Sequence, residues 1–293
     1  MTIPPAFLTS LLYRYNKPTE QSKPHVTLTF AQSLDAKIAG RGGKQLTLSG
    51  KESMVMTHWM RTMHDGILIG IGTALNDDPQ LNTRLLPYRD PDPSANGHNN
   101  PYNIPRPIIL DTKLRLSPHC KLLKNYTEGK GRRPWLICTE PSETSEKTEW
   151  LARRDTLDNA GARIVVLQIG HDTEGDQICL EILNLSQISM SSSDYLPIPL
   201  VLQTIHQLGI SSVMVEGGAQ VIRSFLSQNA VRSATSLVNT VIITIAPIFV
   251  GEDGVSYNAE SGPSSVYKHA STAMFGQDTI VGLIPAYPNQ DAP

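Results

Sequence analysis

Residues 66–72 read Gly66-Ile-Leu-Ile-Gly-Ile-Gly72, a short run of apolar side chains bounded by glycines. Continuous rather than alternating apolarity over so few residues is the pattern of a strand buried on both faces, as in a parallel sheet covered by helices. The pattern recurs in Pro107-Ile-Ile-Leu-Asp111, Trp135-Leu-Ile-Cys-Thr139, Arg163-Ile-Val-Val-Leu167 and Ser212-Val-Met-Val-Glu216. Upstream, His25-Val-Thr-Leu-Thr-Phe-Ala31 is alternating and β-branched, and Val241–Pro247 and Asp278–Ile284 supply strands near the end. Helix-length segments lie among them: Lys51–His64 with Ser49 as its expected N-cap, Glu146–Ala160, Pro199–Leu208 and Ala219–Gln228. Strands alternating with helices predict an α/β fold whose mainly parallel central sheet is flanked by helices on both faces.

Residues 1–24 read as an N-terminal extension broken by Pro4, Pro5, Pro18 and Pro24, in which Leu8, Leu11 and Leu12 predict a short docking helix. From 25 to 293 no composition break marks a second domain, so a single domain is expected, with loop insertions near 87–105 and 181–198. With 40 % hydrophobic and 18 % charged residues in 293, the chain can bury a sizeable core. A formal net charge of −2 gives no electrostatic reason to expect nucleic acid as a partner. Cys120, Cys138 and Cys179 form no C-x-x-C pair, which argues against a zinc cluster or a disulfide framework and for a reducing compartment. The first residues lack the charged and apolar regions of a secretory signal, and no run approaches the roughly 18 apolar residues of a membrane span. A cytosolic protein is the expectation, with the nucleus left open. No metal site is expected: the zinc-deaminase pairing of H-x-E with P-C-x-x-C is absent, as are the P-loop and G-x-S-x-G motifs.

Three segments carry the candidate chemistry. Gly70-Ile-Gly72-Thr73 leaves a buried strand and is expected to enter a polar turn at Asn76-Asp77-Asp78-Pro79; it is no dinucleotide fingerprint, since Leu75 stands where the third glycine belongs. Glu216-Gly217-Gly218-Ala219-Gln220 joins a strand to a helix, and amide groups at such a helix start suit a phosphate, so Glu216 is expected to face a sugar, a base or an amine instead. Ser33-Leu34-Asp35 follows the first strand, at the strand end where α/β sheets place ligands, but taken alone Asp35 reads equally as a turn residue. Arg61 and Arg84 are candidate phosphate contacts, because a guanidinium offers paired donors. His58 and His64 are expected on a helix surface or packed at its end.

In order along the chain, five motifs resemble a known family: Thr27–Ala39 with its Ser-Leu-Asp, the run from Gly70 to Arg84, Arg106–Leu116, Val215-Glu-Gly-Gly-Ala219, and Ala246–Gly251. The chain resembles the 2,5-diamino-6-ribosylamino-4(3H)-pyrimidinone 5′-phosphate reductases in their stand-alone fungal form, over about residues 25–285. The resemblance implies a dihydrofolate-reductase-like fold, a homodimer, NADPH as hydride donor and a phosphorylated ribosylamino-pyrimidine as substrate. It implies that Ala31, Thr73, Asp77, Thr112, Gly217, Gly218, Ala219 and Gln220 hold the cofactor, and that Arg61, Leu81, Arg84 and Glu216 hold the substrate. Asp35 and Glu216 are then the carboxylates available for proton movement. Two departures stand out: Ala36 replaces a glycine common in the family, and Thr47-Leu-Ser-Gly50 replaces a bacterial Trp-Ile-Thr-Gly, so contacts in that stretch are not carried over. Two alternatives remain at this point, a dihydrofolate-type reductase of free pteridines and a catalytically silent NADP-binding sensor.

Overall fold

Nine strands form one sheet: β1 (His25–Gln32), β2 (Gly66–Gly70), β3 (Arg106–Leu110), β4 (Trp135–Cys138), β5 (Arg163–Val166), β6 (Ser212–Gly217), β7 (Thr240–Ile245), β8 (Tyr267–Phe275) and β9 (Asp278–Pro285). The computed structural model describes residues 2–13, 22–88, 101–167, 196–228, 236–257 and 267–286. The spatial order is β5-β4-β3-β2-β6-β1-β7-β9-β8. From β5 to β7 all pairs are parallel, whereas β9 runs antiparallel to β7 and β8 antiparallel to β9. This is the mainly parallel α/β sheet expected from the apolar runs.

Alternation along the strands decides which helix covers which face. Leu28, Leu68, Ile108, Val213, Val215 and Val241 point to one side, where they meet α6 (Ile198–Gln207) and α7 (Ala219–Gln228). Ile67, Ile69, Ile109, Leu136, Met214 and Ile242 point to the other. That face is covered by α1 (Ala6–Leu12), α2 (Lys51–Thr62), α3 (Ile71–Asp77), α4 (Lys121–Thr127) and α5 (Thr144–Asn159). Burial of both faces is what the continuous apolar runs required.

The expected docking helix at Leu8, Leu11 and Leu12 is α1, and it buries Phe7 as well. Two local expectations need correction. Residue 49 does not cap α2: the cap position is Gly50, and the buried carboxylate of Asp278, at the start of β9, accepts from the Gly50 N–H at 2.7 Å and from the Ser53 hydroxyl. A residue more than two hundred positions away thus fixes the start of the helix, through the cap residue's amide and one first-turn hydroxyl. The segment after Gly70 is not a polar turn either, for α3 starts at Ile71 and buries Ile71 and Ala74. The insertions expected near 87–105 and 181–198 fall largely outside the described residues, at 89–100 and 168–195, as does Cys179.

A buried polar cluster joins α2 to the sheet. The residue ending that helical turn, His64, is 1 % exposed; its Nδ1 lies 2.8 Å from the Met60 carbonyl and its Nε2 2.8 Å from the Thr27 hydroxyl in β1. A carbonyl only accepts, so Nδ1 carries the proton and Nε2 accepts from Thr27. Of the two expectations for His64, packing at the helix end is the one the structure shows, since it is buried just past α2. Burial is the main cause that lowers its pKa to about 4. The unfolded chain binds a proton near pH 6.5 that the folded chain refuses, so this group's stabilisation is present above pH 6.5 and is lost as pH falls towards 4. Urea midpoints measured between pH 7 and pH 4 are expected to fall by the equivalent of about 3 kcal/mol from this residue, and His64→Gln to flatten that slope.

Candidate active site

The carboxyl ends of β1, β2, β3 and β6 open into a cleft of about 1080 Å³, at the end of an α/β sheet where ligands bind. Ala31, Gly70, Leu110 and Glu216 bring these four strand ends to its wall.

One half of the cleft is backbone. Gly217 and Gly218 adopt φ of +93° and +91°, a region that side chains rarely enter. A Cβ on Gly217 would sit 2.8 Å from Ile222 Cγ1, and one on Gly218 would sit 2.7 Å from Thr73 Oγ1. The two glycines therefore let this turn pack closely against Ile222 and Thr73, at the point where α7 begins with Ala219 and Gln220. The Thr73 hydroxyl donates to the Gly217 carbonyl at 3.3 Å, tying the start of α3 to this turn. Asn76 and Asp77 line the cleft from α3, with Asn76 Nδ2 donating to the Gly43 carbonyl and to Asp77. Burial raises the Asp77 pKa. Thr112 reaches the wall because the buried Asp111 carboxylate accepts the Leu116 N–H and shapes the 111–116 turn. Of the residues expected on the cofactor side, Ala31, Thr73, Asp77, Thr112, Gly218, Ala219 and Gln220 line one cleft, and Gly217 lies buried directly behind it.

The other half is built by α2. Met54, Thr57, His58 and Arg61 recur at helical spacing and form its cleft-facing stripe, while Met56, Trp59 and Met60 face the core. Arg61 donates from Nε and Nη2 to the two carboxylate oxygens of Glu216, each at 2.8 Å, and from Nη1 to the Asn82 carbonyl at 3.0 Å. Its charge is thus already matched within the protein. Arg84 also lines the cleft, and its closest polar contact there is weak, Nη1 to Asn82 Oδ1 at 3.3 Å. Burial and then the nearby Arg61 lower its pKa; a guanidinium so placed is poised for an anion.

Leu81 needs correction. It is 2 % exposed, has φ of +50° and packs in the core with Ile69, Ala74 and Leu114, so its side chain does not line the cleft. Its burial pins the chain so that Asn82 and Arg84 project the other way. His58 is the converse case. Expected on a helix surface or packed at its end, it lies within α2, is 2 % exposed and lines the cleft, with Nδ1 accepting the Arg84 N–H at 3.2 Å. Burial and the two arginines push its pKa down to about 3, so it is a neutral imidazole whose proton sits on Nε2. The signal was in the sequence, because Met54, Thr57, His58 and Arg61 share one helical face. Gln45 through Ser49 also line the cleft, including the Thr47 stretch that departs from the bacterial motif.

Asp35 lies outside the cleft wall. Its Oδ1 accepts from Ser33 Oγ at 2.6 Å and from Val250 N–H at 3.0 Å, and its Oδ2 accepts from Gly251 N–H at 2.8 Å. Those hydrogen bonds, the Ser33 one first, lower its pKa to about 2. A carboxylate held this way braces the 33–37 loop against 250–251 and is a poor proton carrier. The next residue explains a departure noted above: Ala36 has φ of +57°, the left-handed region where a glycine fits without strain.

Two substitutions probe this geometry. Ala36→Gly is expected to raise stability by up to about 1 kcal/mol, read as a higher thermal midpoint, because strain relief exceeds the entropy cost. Gly217→Ala is expected to cost about 2 kcal/mol through positive φ and contact with Ile222, read as a lower thermal midpoint.

The comparisons agree with this geometry. Residues 24–281 match the model of the RibD C-terminal domain. A Debaryomyces hansenii protein named 2,5-diamino-6-ribosylamino-4(3H)-pyrimidinone 5′-phosphate reductase is 34 % identical over 235 residues, covering 80 % of this chain and 79 % of that protein. The Saccharomyces cerevisiae protein of the same name is 32 % identical over 251 residues, covering 85 % and 83 %. The solved structure of the S. cerevisiae riboflavin biosynthesis reductase Rib7 superposes with a TM-score of 0.62 at 26 % identity, over 95 % of this chain and 99 % of that one. Acinetobacter baumannii RibD shares the fold, with a TM-score of 0.63 at 22 % identity over 91 % of this chain and 59 % of that one. With this dihydrofolate-reductase-like sheet and a family match that spans most of its length, the chain belongs to the RibD C-terminal domain family.

Proposed function

We propose that the chain reduces 2,5-diamino-6-ribosylamino-4(3H)-pyrimidinone 5′-phosphate to its ribitylamino product, using NADPH, in riboflavin biosynthesis. The relatives' names give the substrate and its reduction, and the observation that carries the reading here is that the glycine turn and Arg84 line one cleft. The turn fits a dinucleotide: Gly218 lines the cleft at a positive φ where a Cβ would collide with Thr73, and amides at a helix start suit phosphate. Thr73, Asp77, Thr112, Gly217, Gly218, Ala219 and Gln220 would hold the cofactor, with Ala31 beside it. Arg115 and Arg223, which also line the cleft, supply the guanidiniums that would favour NADPH over NADH. When bound, the nicotinamide supplies the hydride that adds to C1′ of the ring-opened imine.

The protein's part is orientation and charge. Arg84 takes the 5′-phosphate. Arg61 holds Glu216 rigid through two hydrogen bonds, so that the carboxylate faces the aminopyrimidine, whose N–H groups it accepts. The neutral His58 offers its Nε2 proton to an oxygen or nitrogen of the substrate. The proton that balances hydride addition goes to the imine nitrogen, from water held beside Glu216. Asp35 keeps a scaffold role. The active form proposed is a homodimer in the cytosol; no helix among the described residues is long and apolar enough to cross a membrane.

The test is NADPH oxidation with the diamino substrate. Arg84→Ala is expected to raise KM at least tenfold, a loss of about 1.4 kcal/mol or more, with NADPH affinity unchanged. The variant should no longer distinguish the phosphorylated substrate from the dephosphorylated one. Equal kcat/KM in the variant and the parent would refute the phosphate assignment, and no oxidation by the parent protein would refute the reductase.

A further inference from the structure

The opposite end of the sheet carries a second concentration of positive charge. Arg106, Trp135 and Arg163 are the first residues of β3, β4 and β5. Trp135 pairs in register with Ile108 on one side and with Arg163 on the other. Arg106 lies two residues before Ile108, so all three side chains share one face. The Arg106 guanidinium lies 4.7 Å and the Arg163 guanidinium 4.8 Å from the Trp135 ring centroid. Stacking on an indole fixes a guanidinium plane and leaves its edge donors pointing outward.

The surroundings do not neutralise this charge. A hollow of about 600 Å³ is lined by Arg106, Arg133, Arg154 and Arg163 with Asp155 and Asp158. Asp158 is engaged by Arg133 at 3.2 Å and Asp155 by Arg154 at 3.2 Å. In the lining, four guanidiniums meet two carboxylates, an excess of two positive charges, and Arg132 adds to the positive field at Arg106. The Arg106 pKa falls to about 10, through burial first and then Arg132, Arg163 and Arg133. Its Nη1 donates to the Arg133 carbonyl at 2.8 Å, but its buried Nε–H has no hydrogen-bond partner among the described residues. An anion entering the hollow would relieve the like-charge repulsion among these guanidiniums.

We propose that this hollow is an anion site for the di- or triphosphate group of a small molecule, separate from the reductase cleft. The size of the hollow fits one small ligand rather than a polymer backbone, and its positive excess suits the multiple negative charges of a phosphate chain. The separation follows from β3, which starts at Arg106 in the hollow and ends at Leu110 in the cleft wall, about 13 Å away at 3.3 Å per residue. The carboxylates of Asp155 and Asp158 on the rim provide acceptors for hydroxyls of a sugar attached to the phosphates.

Calorimetric titration of the full chain carrying one equivalent of NADPH, which fills the reductase cleft of the proposed function, tests this with inorganic pyrophosphate and, in parallel, with ADP. One saturable pyrophosphate site is expected that Arg163→Gln weakens at least tenfold and Arg84→Ala leaves unchanged. Arg163→Lys keeps the charge but loses the stacked fork, and should give intermediate binding. Thermal midpoints of the unliganded variants check that each is folded; Arg154→Gln replaces Arg163→Gln if the latter fails to fold. Tighter ADP than pyrophosphate identifies a nucleotide as the natural source, and equal affinity identifies the bare phosphate chain. Absence of saturable binding, binding insensitive to both Arg163 substitutions, or equal affinity for sulfate at matched ionic strength would overturn the proposal.

Discussion

The two-pronged hydrogen bond between Arg61 and Glu216 organises the functional half of this molecule. It crosses from α2 to the end of β6, and its third arm reaches the carbonyl of Asn82. Both side chains are largely shielded, at 11 % and 18 % exposure. Breaking one partner of such a pair leaves the other charge poorly solvated, at a cost of a few kcal/mol. The pair therefore fixes the distance between the helix and the sheet while cancelling its own charge. That cancellation is why the two arginines, equivalent in the sequence, differ in the fold: Arg61 holds the wall and Arg84 faces the cleft.

A similar division of labour runs through the other side chains near the cleft. Leu81 and Asp35 sit in stretches that any ligand-centred reading would single out, yet both serve the chain itself. The leucine anchors a left-handed residue in the core, and the aspartate ties two loops together. His58 goes the other way, brought to the cleft and kept neutral by burial and by two positive neighbours. A neutral imidazole with a fixed tautomer is a directional donor over the whole physiological range.

The fold was legible because parallel strands need apolar cover on both faces, and no other arrangement explains five short unbroken apolar runs. α3 was missed since Gly70-Ile-Gly72 looks like a loop; its helicity comes from Ile71 and Ala74 packing on the core. β8 was missed because Tyr267–Phe275 lies at the edge of the sheet and alternates exposed with half-buried positions, so it carries little hydrophobic signal. The cap on α2 was out of reach, since Asp278 is distant in the chain and adjacent only after folding. Within the site, the glycine turn and Arg84 could be read from motifs. The partnership of Arg61 with Glu216 could not, because pairing across 155 residues leaves no local trace.

The helix α1 has a consequence for where this molecule begins. The family match starts at residue 24, but Phe7, Leu8, Leu11 and Leu12 share a core with Met56, Trp59, Ile242 and Ile280. Gly282 in β9 is bare because Leu11 rests on it; a Cβ there would come within 2.5 Å of Leu11 Cδ1. A chain trimmed to the family boundary would present that greasy floor to solvent, inviting self-association. The first dozen residues behave as a lid on the core, so sequence similarity and the physical unit of folding end at different places.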